Sequence, residues 1–137
     1  MNFTLMLTAG YVFRVNTHAE FLNEVFGTNY KKWMKSTWRY SKTAFAWFVR
    51  IDNKKRNNFI NNWLDNNGIV QRHIGTANIW NGNPLNLDVP NDHRLVFEII
   101  DTLPRKYIFQ GVFLMDISIS NPKEMVFKKV SNVFPIN

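Results

Sequence analysis

An α+β fold is predicted from this sequence: a curved, mostly antiparallel sheet flanked by two helices. Three observations predict it. Strand-like runs rich in β-branched and aromatic residues recur along the chain, and the last third holds three in succession, over 94–101, 107–117 and 125–130. Short connections join these three, so an antiparallel meander is the simple inference. Two other segments, 17–27 and 57–67, carry helical spacing of apolar residues. Finally, 137 residues at 45% hydrophobic and 20% charged describe one domain, large enough to bury a core without disulfides.

In chain order, Phe3 to Leu7 and Tyr11 to Val15 read as short strands around Ala9-Gly10. Thr17-His18-Ala19-Glu20 has the spacing of a capping box, in which the hydroxyl and the carboxylate satisfy free N–H groups at a helix start. Phe21, Leu22, Val25 and Phe26 supply the apolar stripe of that helix, and Gly27 is placed to end it. The stretch from Thr28 to Lys42 lacks clean periodicity and reads mainly as a structured loop with room for a short helix at Lys31 to Lys35. Ala44 to Ile51 is apolar on both alternating faces, which suits a fully buried strand. Phe59, Ile60, Trp63 and Leu64 predict a second helix stopped by Asn66-Asn67-Gly68. Ile69 to Ile74 is a strand, and 75–91, with two glycines and two prolines, is an irregular connection of the kind that borders sites. Gly111 inside its strand points to a bulge or a close backbone approach.

Charge is segregated. Residues 28–56 hold nine Lys and Arg against Asp52 alone, whereas the remainder holds eight against nine Asp and Glu. Concentrated this way, charge makes a local positive field that attracts a polyanion. Tyr30, Trp33, Trp38, Tyr40 and Trp47 are interleaved with it, flat side chains able to stack on bases. Lys31, Lys32, Lys35, Arg39 and Lys42 are therefore candidate phosphate contacts, and Ser36 and Thr37 candidate donors to a phosphate or base edge. Trp33 and Trp38, in a polar setting, are candidate stacking platforms, with inward packing the equal alternative. Trp47, among apolar neighbours, and Trp63 favour the core; Trp80 is either a lid or a loop anchor. Lys54, Lys55 and Arg56 read as a solubilising turn.

The runs Trp33-Met34-Lys35-Ser36-Thr37-Trp38-Arg39-Tyr40, Ala46-Trp47-Phe48-Val49-Arg50, Arg94-Leu95-Val96-Phe97-Glu98 and Tyr107-Ile108-Phe109-Gln110-Gly111-Val112-Phe113 resemble the PUA-like superfamily. That group includes the SRA, EVE and YTH readers of modified or flipped bases, and these runs are similar to PUA-like domains that accompany bacterial restriction endonucleases. The resemblance implies a small PUA-like β-barrel and a base held in an aromatic pocket with phosphates on a basic rim. It also implies DNA ahead of RNA as ligand and an associated nuclease as a possible partner. One departure is that 75–82, where such domains carry glycine-rich loops, is asparagine-rich here, which bears on modified-base specificity more than on fold.

Catalytic and cofactor chemistry has little support. Cysteine is absent and the three histidines, His18, His73 and His93, are scattered, so no metal or cofactor motif forms and none is expected. Asp88, Asp92 and Glu98 lack the lysine spacing of a metal-dependent nuclease. A metal-independent ribonuclease would use His93 with Arg105 or Tyr107. The third class is a protein-interaction module, such as a mobile-element inhibitor of a nucleic-acid-handling enzyme. The N-terminal run is too short for a membrane span and lacks the basic flank of a secretory signal, so no membrane partner and a cytoplasmic location are expected.

Overall fold

The computed structural model describes residues 5–56, 58–74, 92–121 and 123–136. A sheet of nine strands dominates it. Its order is β3 (Thr37–Arg39), β4 (Ala44–Val49), β8 (His93–Ile100), β9 (Lys106–Met115), β10 (Glu124–Ser131), β7 (Gly68–His73), β6 (Phe59–Asp65) and β5 (Lys55–Arg56), with β2 (Val12–Arg14) paired to the outer part of β9. All pairs are antiparallel except β4 with β8, which run parallel. A separate ribbon joins β1 (Leu5–Thr8) to β11 (Val133–Ile136), matching Leu5 with Ile136. The meander β8–β9–β10 is as the sequence predicts.

One helix, α1 (His18–Phe26), forms where the capping box places it. The Thr17 hydroxyl accepts from the Glu20 N–H at 3.1 Å, and the Glu20 carboxylate accepts from the Asn16 N–H. Gly27 ends the helix in the left-handed region, at φ 71°. Phe21 and Leu22 are fully buried against Phe48, Phe97 and Tyr107 on one face of the sheet. The opposite face carries a second cluster in which Phe45, Trp47, Ile69, Phe113 and Phe127 meet. β4 contributes to both clusters, which is why all six of its residues are buried. At ~1.5–3 kcal/mol for each large side chain buried, these two layers supply the main driving force for folding.

Two expectations are corrected. Residues 59–65 form strand β6, not a second helix, so α1 is the one α-helix among the described residues. A spacing of four fits both periods: Phe59, Asn61 and Trp63 share a strand face just as Phe59 and Trp63 would share a helix face. What decides is the partner, since β6 pairs with β7 from Phe59↔His73 to Asp65↔Gly68, and Asn66-Asn67 make the hairpin turn in place of a helix stop. Residues 31–35 contain no helix, and the basic loop turns extended only at β3. The connection 75–91, with Trp80 and Asp88, lies outside the described residues. No described helix is long and apolar enough to cross a membrane.

Gly111 occupies the sharpest irregularity of the sheet. Its φ is 120°, and a Cβ there would stand 2.8 Å from the Ser131 carbonyl oxygen. The β8–β9 register shifts between Val96 and Phe97, opposite Gly111 and Phe109, and the β9–β10 register shifts between Lys129 and Ser131. These shifts bend the sheet, as bulges do.

Candidate nucleic-acid interface

The bend brings strands far apart in sheet order round one cleft. Ser36, Thr37 and Trp47 from the β3–β4 side face Phe59, Asn61 and Gln71 from β6 and β7, with Arg50, Arg56 and Arg94 between them. Its volume is about 400 Å³, within the roughly 300–1,000 Å³ usual for small-molecule pockets. Pairing fixes which side chains reach it. Thr37 pairs with Trp47 and Trp38 with Ala46, and cross-strand partners share a face, so Thr37 and Trp47 look inward.

Arginine charge in the cleft is unevenly neutralised. Arg50 makes a two-pronged ion pair with Asp101, at 2.6 and 2.9 Å, and Arg56 does the same with Asp52, at 2.6 and 2.7 Å. Hydrogen bonding to Arg56 holds the Asp52 carboxyl down to about 2. Arg94 differs. Among the described residues its guanidinium donates no hydrogen bond and forms no ion pair, and its Nε is buried without a partner. Instead it lies over the rings of Phe127, Phe45 and Trp47 at 4.2, 4.9 and 4.9 Å. Burial lowers its pKa to about 9, with Asp92 opposing the shift, so it stays a cation at neutral pH. Across the cleft the Asn61 Oδ1 is likewise buried and unpartnered.

The residues singled out from the sequence separate into three groups. Ser36, Thr37 and Trp47 line the cleft. Trp33, Trp38 and Tyr40 do not converge there; they pack against the α1 side of the sheet. Trp38 donates from Nε1 to the Tyr30 hydroxyl at 3.0 Å and rests on Phe26, while Trp33 donates to the Thr37 carbonyl at 3.2 Å and so ties down the loop. Lys31, Lys32, Lys35 and Lys42 are exposed, and among the described residues none has an ion-pair partner. Arg39 is paired with Asp92 at 2.8 Å and also covers the Phe45 ring.

Sequence reasoning missed Arg56, Phe59, Asn61, Gln71 and Arg94. The usable signal was the alternation Phe59, Asn61, Trp63, which a strand reading would have turned to one face. Lys54 and Lys55 adjoin Arg56, so the cationic turn sits at the cleft's edge. The grouping of His93 with Arg105 or Tyr107 does not assemble. Tyr107 pairs with Ile99, at the far end of β8 from His93, which is roughly 20 Å at ~3.3 Å per residue. Tyr107 and His18 instead share a hydrogen bond of 2.6 Å, and Arg105 contacts Tyr107 and Asp101. Among the described residues no group of three His, Cys, Asp or Glu side chains comes together as a metal site.

Among solved structures the chain is similar to the 5-hydroxymethylcytosine-specific restriction enzyme AbaSI, with a TM-score of 0.68 at 18% identity. The match covers 96% of this chain and 43% of that one, so the chain spans less than half of the enzyme's length, and the likeness is one of fold. No curated protein matches the sequence significantly. The family model of the SET and RING associated (SRA) domain matches residues 12–136, a span running from β2 through the helix and both sides of the cleft to β11. The chain therefore belongs to the SRA domain family, within the PUA-like superfamily that its sequence resembles.

Proposed function

We propose that this chain is a DNA-binding module that holds one modified base, taken out of the duplex, in the cleft between β4 and β6–β7. The observation that carries it is the cleft itself: two aromatic side chains, Trp47 and Phe59, beside Asn61, Gln71 and Arg94, of which Asn61 and Arg94 carry buried polar atoms with no partner among the described residues. A buried polar group left unpaired costs ~1–3 kcal/mol, which a ligand that pairs with it returns. An extruded base offers both a face to stack and edges to hydrogen-bond. Membership of the SRA family and the fold shared with a modified-cytosine-specific enzyme support the same reading.

Phosphates then lie along the two edges of the cleft. Lys31, Lys32 and Lys35 precede Ser36 on one edge, and Lys54 and Lys55 precede Arg56 on the other. Ser36 and Thr37 donate at the mouth, and Trp33, Trp38 and Tyr40 hold the loop in place rather than stack on bases. A nuclease working beside the module, on the same chain or another, completes the proposal.

The test is affinity for duplexes that differ only in the 5-substituent of one cytosine. One modified duplex is expected to bind at least about tenfold more tightly than the unmodified one, a difference of ~1.4 kcal/mol. Asn61→Ala and Gln71→Ala should remove most of that preference and leave unmodified DNA bound as before. Equal affinity across the whole series would defeat the reading.

A further inference from the structure

We infer that the cleft selects a base carrying a negative charge, a carboxylate on the pyrimidine ring, and that Arg94 is the residue that reads it. The inference rests on the base-holding role proposed above and specifies its ligand class. Three observations converge on it. The described residues lining the cleft include three arginines and no carboxylate. Two of those arginines are already matched by Asp101 and Asp52. The third, Arg94, has a buried Nε without a partner among the described residues, and the acidic neighbour that bears on it there, Asp92, is engaged by Arg39.

A guanidinium in this position is a preorganised receptor. Three rings, Phe45, Trp47 and Phe127, crowd its Cζ at 4.9, 4.9 and 4.2 Å, so little side-chain freedom is lost when a ligand arrives. Stacking on aromatic faces leaves the in-plane N–H groups unsatisfied. A carboxylate accepts from two such groups at once, and charge-assisted bonds of this kind are about twice as strong as neutral ones. A neutral substituent such as hydroxymethyl or methyl offers one acceptor or none and leaves the charge unmatched. Phosphate groups of the duplex backbone are better served by the exposed lysines at the edges, where hydration is kept.

The experiment measures binding of the intact chain to duplexes with a single cytosine that is unmodified, 5-methyl, 5-hydroxymethyl, 5-formyl or 5-carboxyl. The 5-carboxyl duplex is expected to bind at least about tenfold tighter than the 5-formyl one, its closest neutral counterpart. Arg94→Gln should erase that gap, so that the 5-carboxyl and 5-formyl duplexes bind the variant alike. Two results overturn this inference yet leave base reading intact: a preference for hydroxymethyl or methyl over carboxyl, or a carboxyl preference that survives in Arg94→Gln. Equal binding of all five overturns both. The wild-type series needs no variant to fold, so it decides even if Arg94→Gln is unstable.

Discussion

His18 shows how one side chain can be tied to several elements. Its ring stacks on Phe48 at 4.5 Å, its Nδ1 meets the Tyr107 hydroxyl, and burial, then the charges of Arg105 and Arg50, lower its pKa from 6.5 to about 4. The unfolded chain therefore takes up a proton near pH 6.5 that the folded chain refuses until about pH 4. Because the unfolded state binds more protons in that window, stability falls as pH drops from about 6.5 to 4 and stops falling on this account below it. Asp52 acts lower, its contribution being lost as pH falls from 3.8 towards about 2. His18→Phe, which keeps a ring on Phe48, should flatten the dependence between pH 7 and 4.5 in urea-unfolding midpoints. An equal slope in the variant would assign the effect to another group. The capping role of this segment was legible in the sequence; the Tyr107 contact was not, because the partner lies 89 residues away. Tryptophans show the same limit. Polarity of the neighbours left stacking and inward packing equally open for Trp33 and Trp38 and favoured the core for Trp47, which does lie in the second cluster while also bordering the cleft; register between β3 and β4 sets the faces of Trp38 and Trp47, which local polarity does not encode.

At the scale of elements, the features that were legible are those whose signal is local. Thr17 and Gly27 mark α1, apolarity on both faces marks β4, and a glycine inside β9 marks the bulge. β6 was not legible because a spacing of four residues satisfies both periods and only pairing with β7 separates them. The bulge carries its own prediction. At φ 120°, with the Ser131 carbonyl 2.8 Å from where a Cβ would stand, Gly111 meets both a conformational and a steric limit. Gly111→Ala should destabilise the fold by about 2–4 kcal/mol, combining backbone strain with overpacking against main chain that cannot rotate away. Chemical denaturation measures it directly. A loss under ~0.5 kcal/mol would mean that β9 relaxes into regular pairing there, and the curvature attributed to the bulge would need another source.

For the whole molecule, the position of charge was legible and the cleft was not. Charge is a property of the linear chain, and the excess over 28–56 survives folding because Lys31, Lys32, Lys35, Lys42, Lys54 and Lys55 remain exposed. The cleft is made of residues from 36 to 94 that meet only when the sheet curls. On the proposed reading they divide the work: side chains inside discriminate between bases, and lysines outside supply affinity that is blind to sequence. These two contributions respond differently to salt, since only phosphate contacts release counterions, at ~0.9 units of slope in log K against log salt for each contact in duplex DNA. Replacing Lys31, Lys32 and Lys35 together by Gln should therefore reduce the slope by up to ~2.7, and the ratio of affinities for modified and unmodified duplex should stay unchanged. Changing Lys106, Lys123 and Lys128, which lie outside the basic stretch, should leave the slope as it was. If instead the first set alters the ratio and not the slope, the loop enters the base pocket itself, and the phosphate path must run along the Lys54–Lys55 edge alone.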